Sequence, residues 1–353
     1  MRRVLTALMG SVALGLAAAS PAAADVVDLP VSFRVRNVKR SQVVCPSDGR
    51  EYTVRGHLVA PRGFLAEGRR RPRAVTLYLH GSLIGEAAWR SPVHGYDWPR
   101  RLARAGHASI TIDQLGFGRS GLPDGMQVCV GSWADVAHQV VAELRDGRYA
   151  LAGDRPARRF QRVGLASYCL GGLIAQVEAY SFKDVDAFVV LSSAFDQGFS
   201  RGAATDLFTN PRGPTLVCAR GGERKEPAGP GSYAYVFPGT ERAEWFSDAD
   251  DAVVDAVVRT HEREPCGEGP SLAGALAADR RHLGEIAVPV LLVFGGRDAI
   301  FPPPAGERQR ALFTGSRDVT LVELPDAGHA LQLGRSAARA RSVVASWLRR
   351  RGL

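Results

Sequence analysis

Ser167-Tyr168-Cys169-Leu170-Gly171-Gly172 is the stretch whose reading decides the fold. The run Arg162-Val163-Gly164-Leu165-Ala166 leads into it as a strand, and an apolar helical pattern over residues 173–180 leads out. Strand, sharp turn and helix in that order lift one side chain clear of the backbone, which is what a nucleophile needs. Such a turn requires small residues two positions before and two after the lifted one. Ser167 and Gly171 meet this around Cys169, whereas centring on Ser167 puts Leu165 and Cys169 in those places. The register therefore favours Cys169 over Ser167. The competing reading is a buried apolar cysteine opening an ordinary helix, because free cysteine is among the most buried residue types. The glycine pair and the preceding strand weigh against it.

Outward from this turn, residues 74–79, ending in His80-Gly81-Ser82, and residues 108–112, ending in Asp113, are nearly continuous apolar runs. Residues 187–191, 288–294 and 319–324 read the same way, as central strands of a parallel sheet do when both faces are covered. Residues 31–35 and 52–59 alternate apolar and polar positions, the mark of half-buried antiparallel strands at the sheet's N-terminal edge. Helical spacing occupies 98–105, and 132–144 reads as a helix capped by Ser132 with Asp135 three residues on. Strands alternating with helices predict an α/β fold with a mostly parallel central sheet flanked by helices. Residues 194–285 interrupt the alternation with glycine, proline, charge and scattered aromatics (Tyr233, Tyr235, Phe237, Trp245), and carry candidate helices at 248–263 and 271–283. They are expected to form a cap inserted after the sixth strand, between core segments 25–193 and 286–353; the alternative is a peripheral elaboration. No internal repeat is evident.

Arg2-Arg3, an apolar run over 4–19 and Ser20-Pro21-Ala22-Ala23-Ala24 have the build of a secretory signal peptide, with cleavage expected after Ala24. No other segment approaches the ~18 apolar residues that span a bilayer. The 353-residue chain, 45% hydrophobic, would keep about 329 residues, enough for one large domain with an insertion. Its formal charge of +9 rests on arginine, with lysine only at 39, 183 and 225. The basic runs at 69–73 and 349–351 lack any accompanying nucleic-acid module, which leaves a solvated surface as the reading. Five cysteines in an exported chain imply pairing with one thiol left over, and Cys169 gives the leftover a reason. The other four can pair in three ways. Cys45 with Cys129 and Cys218 with Cys266 is the preferred pairing, since it keeps the second bridge inside one insertion.

The candidate acid is Asp298 in Gly295-Gly296-Arg297-Asp298, just past an apolar strand, where a loop can aim a carboxylate at an imidazole. Asp196, after the preceding strand, is its competitor. The candidate base is His329 in Asp326-Ala327-Gly328-His329, again beyond a strand. His57, His94, His107, His138, His261 and His282 lack a comparable frame and read as surface or structural residues. No cluster has zinc or calcium spacing, so neither a metal nor another cofactor is expected.

His80-Gly81-Ser82, the Asp113-Gln114-Leu115-Gly116-Phe117-Gly118-Arg119-Ser120 loop and the order Cys169, Asp298, His329 together resemble the α/β-hydrolase superfamily, across nearly the whole mature chain. The Tyr-Cys-Leu-Gly-Gly turn is similar to the elbows of dienelactone hydrolases and polyhydroxyalkanoate synthases, two thiol-using branches. The resemblance implies a Cys169–His329–Asp298 triad, with the backbone amides of Ser82 and Leu170 as oxyanion donors and His80 shaping their loop. A neighbouring imidazolium and a helix N-terminus are expected to lower the Cys169 pKa from its ordinary value near 8.5. The implied activity is that of an exported hydrolase taking a small-molecule acyl substrate (ester, lactone or thioester) through a thioester acyl-enzyme. An acyltransferase or acyl cyclase using the same intermediate and a non-catalytic ligand-binding hydrolase fold stay open. The oligomeric state is not readable.

Overall fold

The computed structural model describes residues 26–66, 73–196, 201–226, 229–236 and 241–353. Residues 1–24, expected to be a signal peptide, the basic positions 69–72 and Phe237 lie outside the described residues.

The alternating segments form β1 (Val26–Arg36) and β2 (Glu51–Pro61), paired antiparallel from Val26 opposite Pro61 to Arg36 opposite Glu51. β3 (Ala74–Leu79) follows, then α1 (Trp98–Arg104), whose N-terminus is closed by the Asp97 carboxylate accepting the Arg100 amide at 2.9 Å. Next come β4 (Ser109–Asp113), α2 (Val130–Asp146) and a two-residue edge strand β5 (Ala150–Leu151). Ser132 does not cap α2. The helix begins two residues earlier with Cys129 at its N-cap, and Ser132 completes a capping box by accepting the Cys129 amide on its hydroxyl at 3.0 Å. β6 (Arg162–Tyr168) runs into α3 (Leu170–Phe182), which starts directly after Cys169 rather than at 173, and β7 (Ala187–Leu191) follows.

Beyond β7 the chain leaves the sheet. This excursion carries α4 (Arg201–Phe208), α5 (Pro214–Ala219), β8 (Tyr233–Ala234), α6 (Glu241–Glu244), α7 (Asp251–Val258), β9 (Glu264–Pro265) and α8 (Glu268–His282). The helix expected over 248–263 is thus only α7, because the following residues extend to form β9, which pairs with β8. The chain rejoins the sheet through β10 (Val290–Gly295), α9 (Ala305–Leu312), β11 (Val319–Leu324) and the closing α10 (Ala337–Arg350).

The nine-stranded sheet runs β11-β10-β7-β6-β3-β4-β2-β1-β5. Its pairings are parallel from β11 to β4 and antiparallel from β4 onward. Every residue of β4, β7 and β10 is buried; β7 and β10 are unbroken apolar runs, whereas β4 buries Ser109, Thr111 and Asp113 between its isoleucines. Each fully buried Leu, Val or Ile there contributes roughly 1.5–3 kcal/mol of transfer free energy. Two disulfides, Cys45–Cys129 and Cys218–Cys266, span Cα separations of 6.4 and 5.5 Å, in the expected pairing; Cys169 is the free thiol. The C-terminal arginines are not simply solvated: Arg351 pairs bidentately with Asp318 and lies 3.9 Å over the Trp347 ring. Among the described residues no helix is long and apolar enough to cross a membrane.

Candidate active site

β3, β6, β10 and β11 all end at the same edge of the sheet, where open α/β folds place their ligands. β6 delivers Cys169. Its backbone sits at φ 51°, ψ −124°, a strained left-handed value for a side chain other than glycine, and α3 begins at the next residue. The turn is tight enough that its neighbours must lack side chains. A Cβ on Gly171 would strike the His80 carbonyl oxygen, and one on Gly81 would lie 2.8 Å from the Cys169 Cβ. The loop after β3 is therefore pressed directly against the turn.

The imidazole of His80 fixes that loop. Its Nδ1–H donates to the Gly81 carbonyl at 2.7 Å and its Nε2 accepts the Gln114 amide at 3.1 Å, while Phe117 meets the ring edge-on at 4.6 Å. Burial lowers the His80 pKa, in keeping with this neutral tautomer. Asp113 organises the next loop, accepting the amides of Glu86 at 2.7 Å and Arg119 at 3.0 Å.

β10 and β11 deliver the candidate acid and the candidate base. The loops that follow them are joined by the Arg297 amide donating to the Ala327 carbonyl at 2.9 Å. Asp298 then accepts the amides of Ile300 and Phe301 on Oδ1 at 2.8 and 2.9 Å. His329 donates from Nδ1 to the same carboxylate, 2.9 Å from Oδ2 and 3.0 Å from Oδ1. The competitor Asp196 is engaged elsewhere, with Arg308 at 3.0 Å, and Asp326 faces solvent opposite Arg297. Both side chains of the Asp298–His329 pair are fully buried. His329 Nε2 is left without a hydrogen-bond partner among the described residues, although it is buried. Tyr168, the residue preceding Cys169, packs its ring 5.2 Å from the imidazole, with Trp245 at 4.9 Å and Phe301 at 5.6 Å closing the box.

The sulfur is not set up as expected. Burial pushes the Cys169 thiol well above its ordinary pKa; the Leu170 amide at the start of α3 opposes this, while Asp298, Glu264 and Glu268 raise it further. The helix N-terminus acts in the direction foreseen and loses to desolvation. Cys169 therefore rests as a thiol, not as a thiolate paired with imidazolium.

Beyond the cap expected over 194–285, the excursion contributes specific bonds to the loops of the site. Its Trp245 carbonyl accepts the Ala330 amide at 3.2 Å and its Asp248 carbonyl accepts the Arg335 amide at 3.2 Å, bracing the His329 loop. Glu264 reaches the loop after β3, accepting the Leu83 amide at 2.8 Å. Glu264 and Glu268 also line a cavity of about 470 Å³ whose remaining wall is mostly apolar, including Leu207, Phe208, Val236 and Leu272. Burial and mutual repulsion hold Glu268 well above the usual carboxylate range, and burial raises Glu264 too. A glutamate inside the charge-rich run Glu262-Arg263-Glu264 offers no periodicity that marks it as buried. Away from the site, His138, Glu178 and Asp184 bring their ligand-type atoms within 4.8 Å of one another, a grouping that sequence spacing does not show. Burial and the neighbouring Asp184 keep the Glu178 carboxyl far above its ordinary pKa, and His138 bonds Asp184 at 2.6 Å, while neither Glu178 oxygen has a hydrogen-bond partner among the described residues.

The family model described as the alpha/beta hydrolase family matches residues 76–342. A Variovorax paradoxus (strain S110) protein assigned as a carbamate hydrolase is 30% identical over 278 residues, which is 75% of this chain and 89% of that protein. A pimeloyl-[acyl-carrier protein] methyl ester esterase of Neisseria meningitidis (serogroup C) is 48% identical over 180 residues, covering 49% of this chain and 65% of its own length. Among solved structures, a thermophilic esterase from Thermogutta terrifontis superposes with a TM-score of 0.59 at 18% identity, covering 91% of this chain and 100% of its own.

Proposed function

This chain belongs to the alpha/beta hydrolase family, and on that footing we propose that it cleaves an ester-type bond, in a carboxylic ester, lactone or thioester, with Cys169 as nucleophile. The observation that carries the reading is the Asp298–His329 pair, whose unpartnered Nε2 sits in an aromatic box built on Tyr168, the neighbour of the lifted cysteine. With Nδ1–H donated to Asp298, Nε2 is the unprotonated nitrogen and serves as the general base.

Because Cys169 rests as a thiol, proton transfer and attack occur together. His329 Nε2 takes the thiol proton as sulfur adds to the acyl carbon, and the amides of Ser82 and Leu170 receive the developing oxyanion. As the tetrahedral intermediate collapses, His329 returns the proton to the leaving oxygen or sulfur, and a thioester on Cys169 remains. Water, activated by His329, hydrolyses that thioester and restores the thiol. The mostly apolar cavity of the excursion falls within the size range of ligand pockets and shares Glu264 with the contact to Leu83, although neither Cys169 nor His329 lines it; the excursion is proposed as the cap. The leader at 1–24 and the two disulfides favour export to an oxidising compartment.

An activated ester such as p-nitrophenyl butyrate should leave one acyl group on the intact protein by mass spectrometry. The label should map to Cys169 and vanish in Cys169→Ala. A folded protein that never acylates, or a Cys169→Ala variant that turns over normally, rejects the reading. Adding an alcohol acceptor and following products separates hydrolysis from acyl transfer.

A further inference from the structure

Ser82 supplies one of the two oxyanion amides in the mechanism above, and the residue after it is strained. Leu83 lies at φ 84°, a left-handed conformation that a leucine keeps only where its surroundings impose it. Those surroundings are one short strip of the excursion. The Leu83 amide donates to Glu264 Oε1 at 2.8 Å and the Leu83 carbonyl accepts the Glu262 amide at 2.8 Å. Residues 262–264 thus grip both sides of Leu83, the residue next to Ser82.

The strip is itself fastened from several directions. Glu262 accepts the Gly118 amide at 2.9 Å and pairs with Lys225 at 2.8 Å; the Lys225 ammonium also donates to the Arg263 carbonyl. Ala234 of β8 stands opposite Glu264, and Cys266, two residues on, is disulfide-bonded to Cys218. Glu264 is 2% exposed, and its Oε2 is buried without a hydrogen-bond partner among the described residues. Burying a carboxyl whose second oxygen is unsatisfied is costly, and the group it serves is the loop that faces the sulfur.

We propose that Glu264 is a positioning residue for acyl transfer to Cys169, holding the peptide between Ser82 and Leu83 so that the Ser82 amide stays aimed at the developing oxyanion. The proposal rests on the assignment of Cys169 as nucleophile. It locates part of the oxyanion machinery outside the sheet core, in the excursion, so that capping the site and assembling it become one event. An oxyanion donor acts only where charge develops, so loss of its aim lowers kcat and leaves substrate binding largely intact.

The test measures the single-turnover acylation rate, kcat and KM for p-nitrophenyl butyrate in wild type, Glu264→Ala and Glu264→Gln, with circular dichroism and thermal midpoints to establish folding. Glu264→Ala should lose roughly 10- to 100-fold in acylation rate and kcat with KM within about threefold, in line with misplacing one oxyanion donor. Glu264→Gln retains an acceptor for the Leu83 amide and should recover to within about fivefold of wild type. Should the alanine variant not fold, Glu264→Met, of similar volume without the acceptor, takes its place. Undiminished acylation in the folded alanine or methionine variant overturns the proposal. So does a folded glutamine variant no faster than alanine, or a loss expressed mainly in KM. Wild type that turns over but still labels at a residue other than Cys169 rejects the nucleophile assignment, and this inference falls with it; wild type that labels at Cys169 while Glu264→Ala matches its rate rejects the inference alone.

Discussion

Around Cys169 the sheet presents its groups from strand ends, and each strand end is fixed by its neighbour: Leu79 stands opposite Ser167, Tyr168 opposite Leu191 and Gly295 opposite Leu324. The excursion presents Trp245, Glu262 and Glu264 with no comparable ladder. They depend on individual bonds to the backbone of the core, on the two-residue pairing of β8 with β9, and on one disulfide. The sheet side thus has many redundant constraints on each group and the excursion side has few. The proposed nucleophile, acid and base lie where the backbone tolerates little movement, whereas the groups proposed to aim and cover lie where a single substitution can shift them.

The sharpest way to break this comparison is to disable the sheet side chemically while leaving it folded. His329→Ala and Asp298→Asn should each reduce kcat/KM by roughly 10³-fold or more, as loss of a base or its orienting carboxylate does elsewhere. Asp196→Asn, which removes only an Arg308 partner, should stay within about twofold. Equal losses at Asp196 and Asp298 in steady-state assays would mean that the acid has been misassigned.

A smaller effect separates the two sides by stability. Leu292→Ala, in the fully buried β10, should cost about 2–5 kcal/mol in a denaturant melt of the whole molecule. Replacing Cys218 and Cys266 together by alanine should act locally instead. Hydrogen exchange should rise across β8 and β9, with kcat falling further than the global midpoint, because that bridge anchors the strip next to Leu83. Uniform loosening of sheet and excursion would erase the distinction.

The smallest expected effect lies at the seam between the two regions, where the buried Asp279 of α8 stands near Tyr180 of α3. Burial holds the Asp279 carboxyl well above its usual range, and Tyr180 and Arg280 only partly offset this. A folded-state pKa raised above the unfolded value of about 3.9 means that the folded chain binds the extra proton. The stability tied to that proton is complete below about pH 3.9 and is lost as pH rises toward the folded value. Asp279→Asn should therefore flatten the decline in thermal midpoint between pH 5 and pH 8. An unchanged slope would show that Asp279 ionises without cost.

How much was legible in the sequence follows the same division. β3 and β7 read to the residue, because a strand covered on both faces leaves an uninterrupted apolar signature with turn residues at its ends; β11 also read to the residue, although it is an edge strand in which only Leu324 is buried. The Asp298–His329 bond was legible as well, since each residue sits a fixed few positions past such a strand. Ser132 was misread as a helix cap because a cysteine sulfur, itself in a disulfide, took that position. Glu264 was invisible, since its partner Leu83 is 181 residues away and no local pattern links them. The Cys169 pKa was expected to fall because the helix N-terminus is local and readable, while the burial and acidic surroundings that outweigh it are set by distant parts of the chain.

That last feature decides how the sulfur ages. Peroxides and disulfides react with thiolates far faster than with thiols, and the Cys169 sulfur is both 4% exposed and held protonated. Between turnovers it is a poor target for conversion to sulfenic acid or for scrambling with Cys45–Cys129 and Cys218–Cys266. On the proposed mechanism, the desolvation that obliges His329 to withdraw a proton in every cycle also lets a reduced cysteine persist beside two disulfides.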